Sequence, residues 1–453
     1  MPIIGEIYEI TVTDMGREGQ GIGHIDGLAV FVAGTLPGDK VSVRLEAMKK
    51  SYAKGRLIQT LEPSPDRVMP RCPVAEQCGG CTLQALSYEA QLGWKTRMVR
   101  EQLARIGGFR DIPVQPAIGM AEPYHYRNKA HFYIADDKGI SRIGLFAPKS
   151  HQIVPVADCC IQHPANQAVN QCIQTYMDTY GVSAYDPDKH SGLIRGVVTR
   201  VAAETGRLMI CVIINGRRLP HSDVLTAMLQ NIPGIAGVAC NINRKRTTEV
   251  FGPETVTLWG SERLADTING IRFAISPTSF FQVNPIQTKM IYETALAYAG
   301  LTGHETVIDA YCGIGAISLF LAQKAAHVYG IEYLPEAVED AKANAQSNGI
   351  SNVTFFAGEA ERVLPRLYEE EGIRPDVVVI DPPRKGCHPR LLQTLLAMEP
   401  ERIVYVSCDP ATMARDMKQL CAEKYTVRNV QPIDAFPHTT HVETVALLSR
   451  AMS

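Results

Sequence analysis

The chain lacks any run of about 18 apolar residues, so nothing in it reads as a membrane span. Its opening M-P-I-I-G-E lacks the basic and apolar regions of a secretory signal. The twelve cysteines are therefore expected in a reducing cytoplasm, where metal binding and catalysis outrank disulfides. No repeat or low-complexity segment interrupts the chain. Neither sign of charge dominates: 45 Lys and Arg stand against 47 Asp and Glu, which gives no global sign of a nucleic-acid partner. What remains is a globular composition, 45% apolar and 20% charged, over 453 residues. That length exceeds one ordinary core and implies two or three domains.

Three parts can be read. Residues 1–60 alternate apolar and polar positions between frequent glycines, as in I-Y-E-I-T-V-T and D-K-V-S-V-R-L, which predicts a small β-barrel. Within residues 40–60, Lys40, Arg44, Lys49, Lys50, Lys54 and Arg56 stand against the single acid Glu46, a local basic stretch that also suits an ordinary solvated face. The proline-rich E-P-S-P-D-R-V-M-P (62–70) reads as a linker. Residues 61–275 combine a helix-like stretch at about 83–107 with β-type runs such as L-M-I-C-V-I-I-N, an α+β mixture. From 276 to 453, the strand runs V-I-D-A-Y, H-V-Y-G-I-E, V-V-V-I-D and I-V-Y-V-S-C alternate with helical stretches, predicting a parallel, doubly wound α/β sheet.

Ligands of such sheets bind at the carboxyl ends of the strands, and here each end carries something chemical. Strand 307–311, with Asp309 near its end, runs into Cys312-Gly313-Ile314-Gly315, where Gly313 and Gly315 let backbone approach a ligand. Ser318 stands where a dinucleotide fingerprint has its third glycine, so the motif is incomplete. Glu332 ends the next strand and could accept both ribose hydroxyls, or simply open helix 335–348 as a surface acid. The absence of a phosphate clamp suits S-adenosylmethionine. Glu359, after V-T-F-F-A-G, could reach an adenine edge. Asp381-Pro382-Pro383 holds a carboxylate in a fixed turn. Ser407-Cys408-Asp409-Pro410 puts a thiol at a strand mouth, as a nucleophile or as the small hydrophobe that free cysteine often is.

Taken together with Ser279-Phe280-Phe281-Gln282-Val283-Asn284 and His441-Val442-Glu443-Thr444, these motifs stand in the order of the RNA (uracil-5-)-methyltransferases. The chain resembles that family over nearly its whole length, and its 23S ribosomal RNA branch most. The resemblance implies a SAM-dependent methyltransferase domain with a Rossmann-like fold at 276–453 and an OB-like TRAM barrel that binds RNA at 1–60. It implies Cys408 as the nucleophile that adds to uracil C6 and Glu443 as the general base. Asp381 and Gln282 would hold the uracil edge, and Phe280 would stack on the base. Gln282, Tyr311, Glu332 and Asp381 would line the cofactor site. The partner would be 23S rRNA with a flipped-out uridine, and a monomer is expected. A tRNA uridine methyltransferase is the alternative. Cytosine C5 enzymes of RNA usually place a cysteine in the D-P-P region, and amino-group methyltransferases an aromatic; Arg384 occupies that place here.

A second cluster, Cys72, Cys78 and Cys81, has the spacing C-x5-C-x2-C, and Cys159 and Cys160 lie far downstream. Two C-x2-C pairs would suggest zinc, and the first spacing does not fit. A 4Fe-4S cluster needs four thiolates and tolerates such a loop, and the family resemblance implies one. In Asp158-Cys159-Cys160-Ile161 the family pattern favours Cys159 as the fourth ligand, with Cys160 open.

Overall fold

The computed structural model describes residues 2–137, 139–148, 150–156 and 158–451. These form two compact units: one of residues 1–94, 146–154 and 436–440, the other of 95–145, 155–435 and 441–453. Among the described residues no helix is long and apolar enough to cross a membrane.

In the first unit, β1 (Ile7–Thr11), β2 (Asp14–Met15), β3 (Gly21–Ile25), β4 (Leu28–Val32), β5 (Lys40–Met48) and β6 (Tyr52–Glu62) form one sheet in the order β1-β5-β6-β4-β3-β2. Thr13 N–H donates to Ile22 O at 2.8 Å, curling the β1 end back towards β3. Val41, Val43 and Leu45 on β5 are buried while Ser42 and Arg44 between them are not, the two-residue alternation of a sheet with one face inward. A Cβ on Gly21 would lie 2.1 Å from Thr35 Oγ1, so only glycine lets the strands meet there. The stretch 62–70 is not loose: buried Asp39 accepts from Ser64 N–H at 2.8 Å and pairs with Arg67. After α1 (Ala75–Cys78), Ser87 Oγ accepts from Ala90 N–H, opening α2 (Tyr88–Gln102), which ends in a π-helical turn at Leu103–Gly107. The helix expected from about 83 begins later because Leu83 and Leu86 close a separate turn.

Two further large sheets follow along the chain. One contains β7 (Lys129–Asp137), β8 (Ile140–Phe146), β9 (Ile153–Pro155), β10 (Ile194–Val201), β11 (Leu208–Ile214), β12 (Ile235–Ile242) and β13 (Glu254–Gly260), in the order β13-β12-β11-β10-β7-β8-β9. Helices α3 (Ala165–Tyr180) and α4 (Ser222–Gln230) supply Ile173, Tyr176, Leu225 and Leu229 to its core. A hairpin follows, β14 (Leu264–Ile268) and β15 (Ile271–Ile275), turning on Asn269-Gly270, both at positive φ as a two-residue turn requires.

The other sheet bears the strand-end motifs. It joins β16 (Thr306–Ala310), β17 (His327–Glu332), β18 (Val353–Ala357), β19 (Val377–Ile380), β20 (Arg402–Ser407), β21 (Tyr425–Ile433) and β22 (Glu443–Arg450) in the order β18-β17-β16-β19-β20-β22-β21. Between them run α5 (Pro285–Ala299), α6 (Ala316–Ala322), α7 (Pro335–Ser347), α8 (Ala360–Glu369), α9 (Pro389–Met398) and α10 (Pro410–Glu423). Val377–Ile380 is wholly buried, as a strand covered on both faces must be. The five strands β16–β20 pair in parallel, as expected, but β22 inserts antiparallel between β20 and β21. A short return after β21 permits only that direction.

Candidate active site

Strand β16 leaves the sheet through Tyr311, a non-glycine at φ 71°, a conformation that costs about 1–3 kcal/mol and must be held by its surroundings. Ile331 O holds it, accepting from Tyr311 N–H at 2.9 Å and Cys312 N–H at 3.0 Å. Gly315 caps α6 at φ 80°, and a Cβ there would press on Phe355 and Ala341. The Glu332 carboxylate accepts from Gly313 N–H at 3.0 Å and from Leu334 N–H at 2.9 Å, so the loop's own amides aim it. Glu359 is exposed at the start of α8 and pairs with Arg362 at 2.7 Å. Buried Asp309 accepts from Ser318 Oγ at 2.6 Å. Burial, opposed by that hydrogen bond and reinforced by the Asp381 charge, raises its pKa to about 7.

Asp381 follows β19, its N–H donating to Ala310 O at 3.3 Å, and burial lifts its carboxyl to about 7. The turn behind it is braced by Asp416 on α10. One Asp416 oxygen accepts from Cys387 N–H and Tyr405 O–H, each at 2.7 Å, and the other from Arg415, whose guanidinium also donates to Lys385 O at 3.0 Å. These bonds fix the path of D-P-P-R-K-G and with it Arg384.

The adjoining strand end explains why a proline follows Asp409. Asp409 is the N-cap of α10, accepting from Ala411 and Thr412 N–H groups, and Pro410 is the first helical residue, where no N–H is needed. The helix therefore starts immediately after Cys408. The β20–β22 ladder ends where Ser407 faces Thr444, so Cys408 and Glu443 are the next residues of the two strand ends. Glu443 is 4% exposed and Cys408 half-buried. Burial, then the Asp381 charge, raises the Glu443 pKa to about 8, while Arg384 opposes. Burial, then Glu443 and Asp381, pushes the Cys408 thiol up to about 11, and Arg384 again acts the other way. Arg384 is thus the cation that opposes the shifts of both Cys408 and Glu443.

Residues 276–284 form the loop before α5. Arg200 anchors it through Pro277 O at 3.2 Å and through Ser279 O, and Asn128 does so through Gln282 O at 3.2 Å and Val283 O at 2.9 Å. Phe280 is 76% exposed and is therefore not a core aromatic. Asn284 caps α5 and donates to Ala435 O at 3.0 Å. Cys408, Glu443 and Asp381 thus come together electrostatically, and Tyr311, Gly313 and Glu332 form a neighbouring loop.

The other cysteines behave differently. Burial raises the Cys78 pKa, a backbone hydrogen bond from Gly80 opposes it, and the Cys72 charge adds to it, both cysteines lying in the first unit. Cys159 is half-buried and Cys160 buried, both in the second unit. Among the described residues no group of three or more His, Cys, Asp or Glu is placed to hold a metal ion.

Residues 261–451 match the model of the tRNA (Uracil-5-)-methyltransferase family, and residues 3–58 that of the TRAM domain. An uncharacterized RNA methyltransferase of Halalkalibacterium halodurans is 48% identical over 98% of this chain and 97% of its own. The chain belongs to the uracil-5 RNA methyltransferase family. A second uncharacterized RNA methyltransferase, from Caldanaerobacter subterraneus, is 48% identical over 99% of both chains. The crystal structure of the Pyrococcus abyssi tRNA (uracil-54, C5)-methyltransferase in complex with S-adenosyl-L-homocysteine superposes with a TM-score of 0.78 at 27% identity, covering 97% of this chain and all of that one. The C-terminal sheet of this family member is accordingly the SAM-dependent methyltransferase fold, and β1–β6 form its TRAM domain. Sequence reasoning missed Arg384 as the one cation acting on both Cys408 and Glu443, although D-P-P-R beside two acids was a signal. It also missed the Asp416 brace, which has no motif of its own.

Proposed function

We propose that this family member methylates carbon 5 of specific uridines in 23S rRNA, using S-adenosylmethionine and giving 5-methyluridine. The observation that carries the chemistry is a half-buried cysteine that feels the charge of a buried glutamate, the two adjoining the last pair of one strand ladder. In this reading residues 1–60 grip RNA, 61–275 form a central part and 276–453 perform catalysis in the cytoplasm. The protein acts as a monomer.

Carbon 5 of uracil is too weak a nucleophile to be methylated directly. The Cys408 thiolate forms a bond to C6, and the C5=C6 electrons move onto the ring as an enolate that Asp381 and Gln282 would stabilise. When bound, S-adenosylmethionine supplies a methyl group on a cationic sulfur. The Glu443 carboxylate then takes the C5 proton, the C5=C6 bond re-forms and the Cys408 sulfur leaves. The pKa pattern supports this division of labour: Cys408 keeps its proton in the resting site, and a cation beside it favours the thiolate. Tyr311, Gly313, Gly315, Glu332 and Glu359 would hold the nucleoside, and Phe280, exposed on an anchored loop, would stack on the flipped base.

A 4Fe-4S cluster on Cys72, Cys78, Cys81 and Cys159 belongs to the same proposal. Its support is the C-x5-C-x2-C spacing and the Cys72 charge that acts on the Cys78 thiol; it would order a loop-rich segment and takes no part in the methyl-transfer step. A second reading, tRNA as substrate, is favoured by the Pyrococcus neighbour, which acts on tRNA.

The test is labelled-methyl transfer to 23S rRNA and to tRNA transcripts made with uridine or with uridine replaced. Incorporation into 23S rRNA that disappears without uridine supports the proposal; incorporation only into tRNA moves the substrate, and incorporation surviving uridine replacement sinks the chemistry.

A further inference from the structure

Far from the strand ends, one end of the central sheet gathers positive charge that the mechanism does not use. β10 starts at Ile194, β11 stops at Ile214 and β12 stops at Ile242, and the register pairs Ile194 with Ile214 and Ile214 with Ile242. The loops 186–193, 215–221 and 243–253 therefore emerge together. Arg217, Arg218, Arg244, Lys245 and Arg246 on the latter two are all exposed, and among the described residues none of these five has a carboxylate partner. Lys189 on the first loop is paired with Asp186 at 3.1 Å.

This end is built rather than loose. Arg195 spends its guanidinium on main chain, donating to Asn243 O at 3.0 Å, Lys245 O at 2.8 Å and Thr247 O at 3.0 Å, and it lies 4.3 Å over the Tyr185 ring. Buried Asn243 donates to Glu249 O at 2.9 Å and Val250 O at 3.2 Å. Arg246 reaches Asp188 O at 2.8 Å, and Asn215 N–H donates to Leu193 O at 2.7 Å, tying the three loops to one another. Cations held on fixed backbone lose little freedom when they meet a ligand.

We propose that these loops form a second RNA-backbone contact, in which Arg217, Arg218, Arg244 and Lys245 bind phosphates of the substrate well away from the methylated base. The inference rests on the reading above that the substrate is RNA. The opposite end of β10 supplies the distance. Arg200 there anchors the loop bearing Phe280 and Gln282, and the five steps from Arg195 to Arg200 span about 17 Å at 3.3 Å each. The contact therefore falls on backbone outside the methylated nucleotide itself. Phosphate contacts position without reading sequence, which suits loops rich in arginine and lysine but poor in planar amides.

The decisive variant is Arg217→Ala/Arg218→Ala/Arg244→Ala/Lys245→Ala, with Arg246 kept for its bond to Asp188; Arg217→Ala/Arg218→Ala alone serves if the fourfold change fails to fold. Affinity for unmodified 23S rRNA and tRNA transcripts, KM, kcat and S-adenosylhomocysteine binding are compared with wild type across salt concentrations. For the RNA that is methylated, affinity should fall and KM rise at least about tenfold, and the slope of log affinity against log salt should shrink by about two to four. The kcat and S-adenosylhomocysteine binding should stay unchanged. On a short fragment trimmed to the target and its immediate neighbours, variant and wild type should be equal. Unchanged RNA affinity and salt slope with an active wild type would overturn the contact and leave the proposed function standing. If wild type methylates neither RNA, the function fails, and direct binding still decides the loops: equal binding by both proteins overturns the inference.

Discussion

Replacing Glu443 with glutamine separates the two halves of the reaction. The side chain keeps its size and loses its charge in a position 4% exposed. Its negative charge is one of the causes that hold the Cys408 pKa up near 11, so the amide should ease thiolate formation rather than hinder it. Loss of the C5 proton should stall instead. General-base assistance contributes about 10²–10⁴ in rate, or about 3–5 kcal/mol of barrier. Turnover should therefore drop by two to four decades, about 10²–10⁴, while a protein–RNA adduct accumulates and survives a denaturing gel. In wild type, single-turnover release of that adduct should rise about tenfold between pH 7 and pH 9, because a carboxyl titrating near 8 goes from about one-tenth to about nine-tenths ionised. Stability moves the other way. The folded pKa lies above the ordinary value of 4.5, so between about 4.5 and 8 the unfolded chain has released a proton that the folded one retains, and stability falls as pH rises. At about 1.4 kcal/mol per unit, glutamine should recover up to about 3 kcal/mol at pH 7 and almost nothing at pH 5. Thermal melts at both pH values read this difference. Free turnover with no adduct, or equal melting temperatures at pH 7, would refute the role or the burial argument respectively.

Cys408→Ala should abolish methyl transfer and adduct formation while S-adenosylhomocysteine binding measured by calorimetry persists; near-native turnover would remove it as nucleophile. Lys49→Ala/Lys50→Ala/Lys54→Ala in the TRAM domain should weaken RNA binding and flatten its salt dependence, and unchanged anisotropy titrations would deny the basic stretch that task. Asp434→Ala should cost about 3–5 kcal/mol in a urea melt, since Lys95 and Asp434 are both wholly buried and the lysine would lose the charge that opposes its desolvation; a loss under about 1 kcal/mol would contradict that. Anaerobically purified protein should carry about four irons, lost in Cys159→Ser and kept in Cys160→Ser; one zinc and no iron by metal analysis would reject the cluster.

Much of this was legible because two of the catalytic candidates end apolar runs. V-V-V-I-D and I-V-Y-V-S-C place Asp381 and Cys408 at strand mouths without any tertiary information. The partnership of Cys408 with Glu443 was not legible from spacing, because 35 residues separate them and their meeting depends on β22 entering antiparallel beside β20. The residues that steer the reaction from behind were hidden for a similar reason. Asp416 looks like any helical acid until Cys387, Tyr405 and Arg415 are seen converging on it. The basic end of the central sheet drew no notice because its arginines are split between 217–218 and 244–246, and only the strand pairing unites them.

The place of β22 has a consequence for biosynthesis. A ribosome delivers β21 before β22, yet β22 lies between β20 and β21 in the finished sheet. Until it emerges, β20 presents an unpaired apolar border, the kind of template that invites association with other nascent chains. Under the proposed mechanism, the thiol at the mouth of that strand would then lack the glutamate that releases a captured nucleotide. Docking of Glu443–Arg450 closes the border and would supply that release group in the same step.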